Sequence, residues 1–569
     1  MRPWHLGNTT VRSPFRLRDG LIVLSRSDLQ GNLRGTENDA TFRKLLGDSG
    51  LVSLGDDKTN SVGRKWRSAL SQLGFIYSDK SNKDKIDHIT PSGTRLISAD
   101  SVPAIQECFL RSLICYQIPS LIEQKYSYKT FSPLRHVLKL LLFIEKNTDM
   151  EAFISFQEMA VIVQLSSPET PLDVIVEKIA SFRKEKKIAI NKRKFGQMSL
   201  TLTAREHGYV EQTFNDYSDT NIRYLKATGL FSGKGRGIAL NPQKIFLINK
   251  LAEGKEIIYG DEDYLAMLSE GATLPTDNKS EALQELEDLT FQLEKFGVKY
   301  DASIANLAKP SNIAIVRHKV EELLGEQKEI EFAKRQASEW EEILTYFELI
   351  IDRKGAATLL EDNEIRLPKS EVPAYFEWAL WRAFLAINKL KNPPYESRRF
   401  KVDQDILPIG NAPGNGPDLI FEFEDYVLVV EATLTDNSRQ EAAEGEPVRR
   451  HVAQAINQYG ETKPVFGLFI ANQIDSNTAE TFRSGVWYNT SDSKAELGIV
   501  PMTLIQFSSI FRFLFSNNKI DNRYILEVIK LCLDKKDEYT APEWKGKINY
   551  IVANCQMLCK NCNRTKSGI

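Results

Sequence analysis

The sequence contains little cysteine, six residues in 569, and it has no run of 18 consecutive apolar residues. So few cysteines exclude a small disulfide-stabilised domain and favour a reducing compartment. The absence of a long apolar run argues against a membrane-spanning helix, and the first residues contain no apolar stretch of signal-peptide type. We therefore expect a cytoplasmic protein that does not insert into a membrane.

Length and composition indicate an ordinary globular protein of several domains. Its 569 residues exceed what one core usually organises, and 42% hydrophobic and 26% charged residues are typical of globular proteins. The net charge of −2 conceals an asymmetry, because residues 1–260 hold 38 Lys and Arg against 27 Asp and Glu, whereas residues 261–569 hold 36 against 49. The basic half favours binding of a polyanion, and the acidic half would need a cation to approach one.

The most informative pattern follows a stretch rich in glycine and proline, residues 411–417. Two apolar runs, 419–423 and 426–430, flank the polar residues Glu424 and Asp425. A short polar pair between two apolar runs predicts a tight hairpin.

That hairpin would place Asp418 directly opposite Glu431, and opposed residues on antiparallel strands share one face. Two carboxylates so close repel each other and raise each other's pKa unless a cation lies between them, and oxygen ligands favour Mg²⁺. Acidic residues at strand ends are more often simply solvated. Glu431, however, follows the apolar residues 427–430, a pattern typical of a strand buried on both faces. This context favours a functional carboxylate pair.

A predicted helix over residues 373–387 comes just before the hairpin and is almost wholly apolar except for Glu377 and Arg382. A carboxylate therefore lies on a buried helix close to the acidic pair in sequence. Further elements complete a predicted mixed sheet flanked by helices: strands over 465–471 and 498–502, and a helix over 504–515.

A second predicted helix, residues 441–458, follows the hairpin and carries Glu444 and His451. They are seven residues apart, so two helical turns return them to nearly the same face. Pro447 lies between them, and it either kinks the helix or moves the start of the helix to a later residue. A histidine on that face could accept a proton or, when protonated, contact a phosphate.

The basic half begins with a pattern typical of a winged helix-turn-helix. Residues 62–74 predict a helix that ends at a glycine, followed by a strand at 75–77, a charged loop at 78–85 and a second strand at 89–97 that leads into a helix. A basic helix of this kind can enter the major groove of DNA, with the charged loop as the wing. The alternative is a solvated basic helix packed on a small core.

A similar order of elements recurs over residues 221–248, where a glycine-rich basic loop joins two predicted strands. Because the loop does not open a helix, its likeness to a phosphate-binding loop is superficial, and a basic wing explains it better. An arginine-rich segment also lies near the N-terminus. The candidate DNA-binding residues are Arg12, Arg16, Arg64, Lys65, Arg67, Lys234 and Arg236.

From about residue 261 the composition becomes acidic and helical. Residues 279–296 and 320–351 predict amphipathic helices with many Glu and Lys pairs four residues apart. This part is typical of a helical linker. At the other end of the chain, Cys555, Cys559 and Cys562 could begin a zinc site, but no fourth Cys or His lies near them, so the signal is weak.

The residues around the hairpin resemble, as a set, the catalytic region of AlwI-type restriction endonucleases, a type IIS family that includes nicking enzymes of the BstNBI type, with a PD-(D/E)XK nuclease core. The motifs that carry the resemblance are Phe376-Glu377-Trp378, Asn415-Gly416-Pro417-Asp418, Glu431-Ala432-Thr433, Glu444-Gly445-Glu446-Pro447 and Arg450-His451. Each motif is weak alone, and the set is fairly specific.

The resemblance implies that Asp418 and Glu431 are metal ligands for Mg²⁺ and that Glu377, Glu444 and His451 complete the catalytic site. In the general nuclease pattern a lysine follows the second acid by two residues, whereas this chain has Thr433 there. The resembled family lacks that lysine too. Which group orients the attacking water stays open.

The resemblance also implies the organisation of the chain. It predicts a multidomain α+β and α/β protein that cuts double-stranded DNA a few bases outside a short asymmetric sequence, with GGATC favoured and GAGTC as the other candidate. We expect a monomer, with a transient dimer or a second subunit for double-strand cleavage. The implied domains are a winged-helix recognition subdomain at 1–130, a second one at 131–260, a helical linker at 261–366 and a PD-(D/E)XK cleavage domain at 367–569.

Two other functions remain open at this point. One is a winged-helix DNA-binding regulator whose nuclease-like domain is catalytically silent, which would explain the basic half but not the intact set of carboxylates. The other is a nuclease that acts on RNA or damaged DNA. The sequence leaves undecided which bases are recognised, the cleavage offset and whether one strand or both are cut.

Overall fold

The computed structural model describes residues 2–33, 35–52, 54–55, 59–78, 87–301, 307–358, 364–488 and 492–554. They group into two compact units. The first is Met1–Gly325 with Asp403–Asp405, and the second is Glu326–Val402 with Ile406–Ile569. The finer division into four domains stays a prediction.

The first unit is mainly helical, with a large hydrophobic core that the helices share. Its helices are α1 (Phe15–Ser25), α2 (Thr36–Asp48), α3 (Ser61–Gln72), α4 (Pro91–Ser98), α5 (Val102–Cys115), α6 (Pro133–Asn147), α7 (Phe156–Val161), α8 (Leu172–Ile188), α9 (Lys192–Glu206), α10 (Glu211–Ala227), α11 (Ile245–Glu253), α12 (Asp261–Glu270), α13 (Lys279–Glu294) and α14 (Pro310–Arg335), the last of which contains the boundary between the units. Its strands are β1 (Ile76–Ser78), β2 (Asp87–Ile89), β3 (Phe153–Ile154), β4 (Phe231–Lys234) and β5 (Gly237–Leu240).

The helix-and-hairpin order predicted for the first recognition module is present. α2 and α3 precede β1 and β2, which pair antiparallel with Ile76 opposite Ile89. Gly74 links α3 to β1 at φ +73°, and a Cβ there would lie 2.2 Å from the Leu268 carbonyl oxygen, so only glycine fits. The predicted wing falls largely on residues 79–86, which lie outside the described residues.

The second predicted module has a similar hairpin. α10 leads into β4 and β5, which pair antiparallel with Lys234 opposite Gly237. The glycine-rich loop therefore joins two strands, as predicted, with Gly235 at φ +55° in the turn. β3 adds a third strand beside β5.

The second unit holds a mixed sheet covered by helices on both faces. Its helices are α15 (Trp340–Ile351), α16 (Val372–Ile387), α17 (Gln440–Tyr459), α18 (Ser476–Arg483), α19 (Leu504–Ser516), α20 (Asn522–Leu533) and α21 (Ala541–Ala553). Its strands are β6 (Ala356–Thr358), β7 (Glu364–Arg366), β8 (Leu419–Glu422), β9 (Val427–Thr433), β10 (Val465–Ala471), β11 (Val486–Tyr488), β12 (Lys494–Glu496) and β13 (Ile499–Thr503).

The main sheet has the strand order β13-β10-β9-β8. β8 pairs antiparallel with β9, whereas β10 pairs parallel with both β9 and β13. Side chains alternate along β9, so Val427 and Val429 pack with α17, while Leu428 and Val430 pack with α16 and α19. The predicted mixed sheet flanked by helices is confirmed, and its odd-numbered β9 residues face α17.

The predicted helix over 320–351 is interrupted. α14 ends at Arg335, a short 3₁₀ turn covers Gln336–Glu339, and α15 begins at Trp340. The turn is held by Arg382 of α16, whose guanidinium donates to Gln336 and Glu339 at 2.6 and 2.7 Å. Periodicity alone cannot reveal this contact between distant residues.

Cys108, Cys115 and Cys532 are buried and form no disulfide with one another, and the three tail cysteines considered for zinc lie outside the described residues. Among the described helices, none has the length and apolar character needed to span a bilayer.

Candidate active site

The centre of the site is the end of the β8–β9 hairpin. Leu419 pairs with Val430, and the Phe423 backbone N–H donates to the Tyr426 carbonyl at 2.9 Å, so the turn consists of Glu424 and Asp425. Asp418 follows this register at the position opposite Glu431, as predicted. Its Oδ2 accepts a hydrogen bond from the Ala432 backbone N–H at 2.9 Å.

His451 of α17 lies directly against this pair. The distance from His451 Nδ1 to Glu431 Oε1 is 2.6 Å, and both side chains are buried. His451 Nε2 is buried without a hydrogen-bond partner in the part of the chain that the structure describes. The contact exists because Glu431 is an odd-numbered residue of β9 and therefore faces α17.

Glu444 reaches the same region from the preceding turns of α17. The Thr433 hydroxyl acts on the Glu444 carboxylate and offsets part of the rise in its pKa that burial causes. The helix runs without interruption from Gln440 to Tyr459 through Pro447, so the proline does not move its start to a later residue. Thr433, at the position where a lysine was expected, thus favours the charged form of one of the acids.

Glu377 joins the cluster from α16, on the other side of the sheet. It is 5% exposed, and its Oε2 accepts from the Ala412 backbone N–H at 2.7 Å. Its electrostatic neighbours are Asp418 and Glu431. Arg382, the other charged residue of the same helix, bonds instead to Gln336, Glu339 and Glu342 and takes no part in the site.

Burial and mutual repulsion raise the pKa values of the acids. The pKa of Asp418 is held well above its usual range, mainly by burial and secondly by the negative charge of Glu431. The pKa of Glu377 is raised in the same way, mainly by burial and secondly by the charge of Asp418. Burial also raises the pKa of Glu431 to about 8 and raises the pKa of Glu444. Burial lowers the pKa of His451 to about 4, so its imidazole is neutral at pH 7.

This donor set fits a hard divalent cation. Among the described residues no group of three or more His, Cys, Asp and Glu side chains has metal-binding geometry. Mg²⁺, however, is commonly bound through one or two carboxylates together with waters and substrate phosphates. Asp418 and Glu431 supply two such oxygen ligands, and a cation would offset the repulsion that raises their pKa values.

The structure also adds a residue that sequence patterns did not indicate. Arg399 lies beside residues 411–417, the stretch rich in glycine and proline that precedes the β8–β9 hairpin. Its guanidinium donates to the Pro413 carbonyl at 3.0 Å. Its charge acts on both Glu431 and His451. Arg399 lies in an irregular segment without helical or strand periodicity. The only signal in the sequence is that it forms a pair of adjacent arginines with Arg398.

The predicted DNA-binding residues on α3 differ in their surroundings. Arg64 and Lys65 are exposed, whereas Arg67 is half-buried, with its Nε 3.7 Å from Asp39 Oδ1. On the second hairpin, Lys234 is exposed and pairs with Glu151, and the Arg236 guanidinium lies 4.0 Å from the centre of the Phe156 ring. All of these contacts are made within the protein, and the roles of these residues in DNA binding stay predictions.

The two N-terminal arginines also have intramolecular contacts. Arg12 Nη2 lies 2.6 Å from Asp216 Oδ1, and its Nε donates to the Thr9 carbonyl. Arg16 donates to the Leu51 carbonyl. These contacts hold residues of α1 and its preceding loop in place, and a role of Arg12 and Arg16 in DNA binding also stays a prediction.

Comparison with known proteins gives a family. No curated protein matches the chain significantly. Among solved structures, the small subunit (R.BspD6I2) of the heterodimeric restriction endonuclease R.BspD6I is 24% identical, with a TM-score of 0.29 over 37% of this chain and 98% of that one. The BpuJ1 endonuclease binding domain, solved with pyrene- and phenanthrene-modified DNA, is 14% identical, with a TM-score of 0.31 over 47% of this chain and 94% of that one.

The sequence model of the AlwI restriction endonucleases matches residues 71–510, which is more than half of the chain. The matched range contains the whole hairpin, α16 and α17, and therefore all five side chains gathered at the sheet edge. The resemblance inferred from the motifs is thus confirmed, and the chain belongs to the AlwI restriction endonuclease family.

Proposed function

We propose that this protein is a Mg²⁺-dependent restriction endonuclease of type IIS, or a strand-specific nicking endonuclease, that cleaves duplex DNA a few bases outside a short asymmetric sequence. Family membership supports DNA cleavage. The observation that carries the proposal is the position of Asp418 opposite Glu431, with His451 2.6 Å from Glu431. By the same resemblance GGATC is the favoured target and GAGTC the second candidate.

The proposed chemistry is phosphodiester hydrolysis. A water oxygen forms a bond to phosphorus, the bond from phosphorus to the leaving oxygen breaks, and the electron pair stays on that oxygen, which takes up a proton. Asp418 and Glu431 would hold Mg²⁺, which when bound lowers the pKa of a water and offsets phosphate charge. Glu377 or Glu444 would hold a second ion or a water.

His451 has the properties of the group that takes the proton from the attacking water. Its imidazole is neutral, and in the tautomer whose Nδ1–H donates to Glu431 the lone pair of Nε2 is available. Nε2 is buried without a partner among the described residues, so a water or a phosphate oxygen would satisfy it. Glu431 then has two functions, as a metal ligand and as the residue that orients the histidine.

DNA recognition is assigned to the first unit. The order α2, α3, β1, β2 and the α10, β4, β5 hairpin support two winged-helix modules, with exposed Arg64 and Lys65 facing the duplex. The mixed sheet supports a PD-(D/E)XK core in the second unit. Because recognition and cleavage residues lie in separate segments, the cut falls outside the sequence that is read.

One active site faces one strand. A break in both strands then needs a second subunit or a second binding event, and the protein would be a monomer between such events. A silent DNA-binding regulator is less consistent with the site. Two buried and two half-buried carboxylates with raised pKa values destabilise the folded chain at neutral pH, and a silent domain has no reason to retain them.

The proposal is tested with purified protein, Mg²⁺ and a library of mixed-sequence duplexes labelled on each strand, with the fragment ends mapped by sequencing. Ends at a fixed distance from one short sequence are expected, and the balance between strands distinguishes a nickase from a double-strand cutter. Duplex binding without sequence-linked ends would favour the regulator. Cleavage of RNA alone would also contradict the proposal.

A further inference from the structure

We infer that Arg399 is a further catalytic residue of this nuclease, which contacts the phosphate under attack and supplies the positive charge that a lysine provides in the general nuclease pattern. The inference rests on the proposed function. It begins with strand pairing, because residues before β8 extend the sheet at the edge where the acids lie.

The backbone places Arg399 in line with the two central acids. Arg398 forms an antiparallel bridge with Leu419, and the Arg399 N–H donates to the Asp418 carbonyl at 3.2 Å. Asp418 therefore has two directly opposed neighbours. Arg399 lies opposite it on the segment before β8, and Glu431 lies opposite it on β9. Directly opposed residues share a face, so Arg399, Asp418 and Glu431 form one row on the face that α17 covers.

The guanidinium of Arg399 is fixed next to residues 411–417, the stretch rich in glycine and proline. Nη1 donates to the Pro413 carbonyl at 3.0 Å, and Nη2 donates to the Asn415 side chain. A Cβ added to Gly416 would lie 2.3 Å from Nη1, so glycine at this position leaves the space that the guanidinium occupies. Arg399 is half-buried, and two of its five N–H groups serve these contacts, so others remain to bind an anion.

The charge balance of the site calls for such a cation. Thr433 occupies the usual lysine position, and its side chain carries no charge. Arg450 is the other cation that acts on Glu431, but its Nε is 3.1 Å from Glu446. Arg399 forms no ion pair in the described part of the chain, because its two side-chain contacts are with neutral oxygens. Its charge acts on the site only through longer-range attraction.

In the reaction, Arg399 would donate to a non-bridging phosphate oxygen. Negative charge accumulates there and on the leaving oxygen as the water oxygen bonds to phosphorus and the leaving bond breaks. A preorganised guanidinium stabilises that charge more in the transition state than in the ground state. Arg399 should therefore matter for the rate of cleavage more than for the affinity of the full protein for DNA.

The test compares Arg399→Met, Arg399→Lys and Asn415→Ala in the full chain, by single-turnover cleavage with Mg²⁺, duplex affinity without Mg²⁺ and thermal unfolding. Arg399→Met is expected to slow cleavage about 10²- to 10³-fold with affinity within about threefold. Arg399→Lys keeps the charge and should cleave about tenfold faster than Arg399→Met. Asn415→Ala removes one of the two contacts that hold the guanidinium but keeps its charge, so it should slow cleavage less than Arg399→Met does.

Two glycines give a second, matched pair. Gly416→Ala would displace the guanidinium, whereas Gly414 has no atom within 4 Å of an added Cβ. Gly416→Ala should therefore slow cleavage in the same direction as Arg399→Met, and Gly414→Ala should not.

Two results would overturn the inference about Arg399, and a third would contradict the proposed function. Arg399→Met cleaving at the wild-type rate would overturn the inference. So would equal losses in Arg399→Met, Arg399→Lys and Asn415→Ala with lowered unfolding temperatures, since that result assigns Arg399 to holding the loop. Failure of the wild-type protein to cut DNA would instead contradict the proposed function, which separates the two claims.

Discussion

His451 and Glu431 form a buried pair in which Nδ1 of the imidazole lies 2.6 Å from Oε1 of the carboxylate. The two residues come from α17 and β9, and the alternation of β9 side chains brings them together. The pair fixes the imidazole with Nδ1 toward the acid, and Nε2 stays buried without a partner among the described residues. An orienting carboxylate and a neutral imidazole are a common arrangement for a general base.

Replacement of His451 should slow the chemical step. His451→Asn keeps a donor for Glu431 but removes Nε2, so the single-turnover cleavage rate should fall by about 10²- to 10³-fold. Duplex affinity without Mg²⁺ should be unchanged, because the residue is buried and belongs to the second unit, whereas the proposed recognition helices belong to the first. Cleavage at the wild-type rate in this variant would assign proton transfer to another group.

The raised pKa of Glu431 predicts how stability depends on pH. Its pKa rises from an ordinary value of 4.5 to about 8, so between these values the folded state binds more protons than the unfolded state, and stability falls as pH rises. Below about pH 4.5 the penalty is absent, and above about pH 8 it is complete.

Glu431→Gln removes that penalty. In metal-free protein the variant should unfold at a higher temperature than wild type at pH 8, with the difference shrinking toward pH 4.5, by calorimetry or circular dichroism. Mg²⁺ should raise the unfolding temperature of wild type more than that of the variant. A variant that is less stable than wild type at every pH would show that Glu431 is charged and well compensated without metal.

Arg382 is predicted to support the fold and not the reaction. It is 1% exposed and donates to Gln336, Glu339 and Glu342. Arg382→Leu leaves these acceptors uncompensated and should lower the free energy of unfolding by about 3 kcal/mol. The control is Arg335→Leu, because the Arg335 side chain is 65% exposed and should change stability by less than about 1 kcal/mol. Equal effects of the two would contradict a buried supporting role.

The exposed basic residues of α3 should contribute to DNA affinity. Arg64→Ala with Lys65→Ala should weaken duplex binding about tenfold or more and flatten its dependence on salt, because fewer counterions are released. Lys319→Ala, an exposed lysine of α14, is the matched control and should bind as wild type does. A double variant with unchanged affinity would remove α3 from the DNA-binding surface.

Much of the second unit could be predicted from the sequence, for a specific reason. The polar pair Glu424 and Asp425 between two apolar runs fixes both the turn and the register, so the position of Asp418 opposite Glu431 follows from local chemistry. Helical periodicity likewise placed Glu444 and His451 on one face.

Contacts between distant segments could not be predicted. The pairing of His451 with Glu431 depends on which face of β9 meets α17, and Arg399 reaches the site through an irregular segment that extends the sheet. Glu377 and Arg382 are both charged residues on a buried helix, and the sequence does not distinguish their roles. Glu377 joins the acids of the site, whereas Arg382 bonds to the 3₁₀ turn after α14. Tertiary packing decides between such outcomes.

The central claim is that Asp418 and its partners form a nuclease site, and one pair of variants tests it most directly. Asp418→Asn and Asp425→Asn make the same chemical change at opposite ends of one hairpin, at a half-buried site residue and at an exposed turn residue. Cleavage of a duplex with Mg²⁺ and duplex binding without it are measured for both. Asp418→Asn should lose cleavage by about 10³-fold or more while binding as wild type does, and Asp425→Asn should retain both. Full cleavage by Asp418→Asn, or loss of binding together with cleavage, would contradict the account.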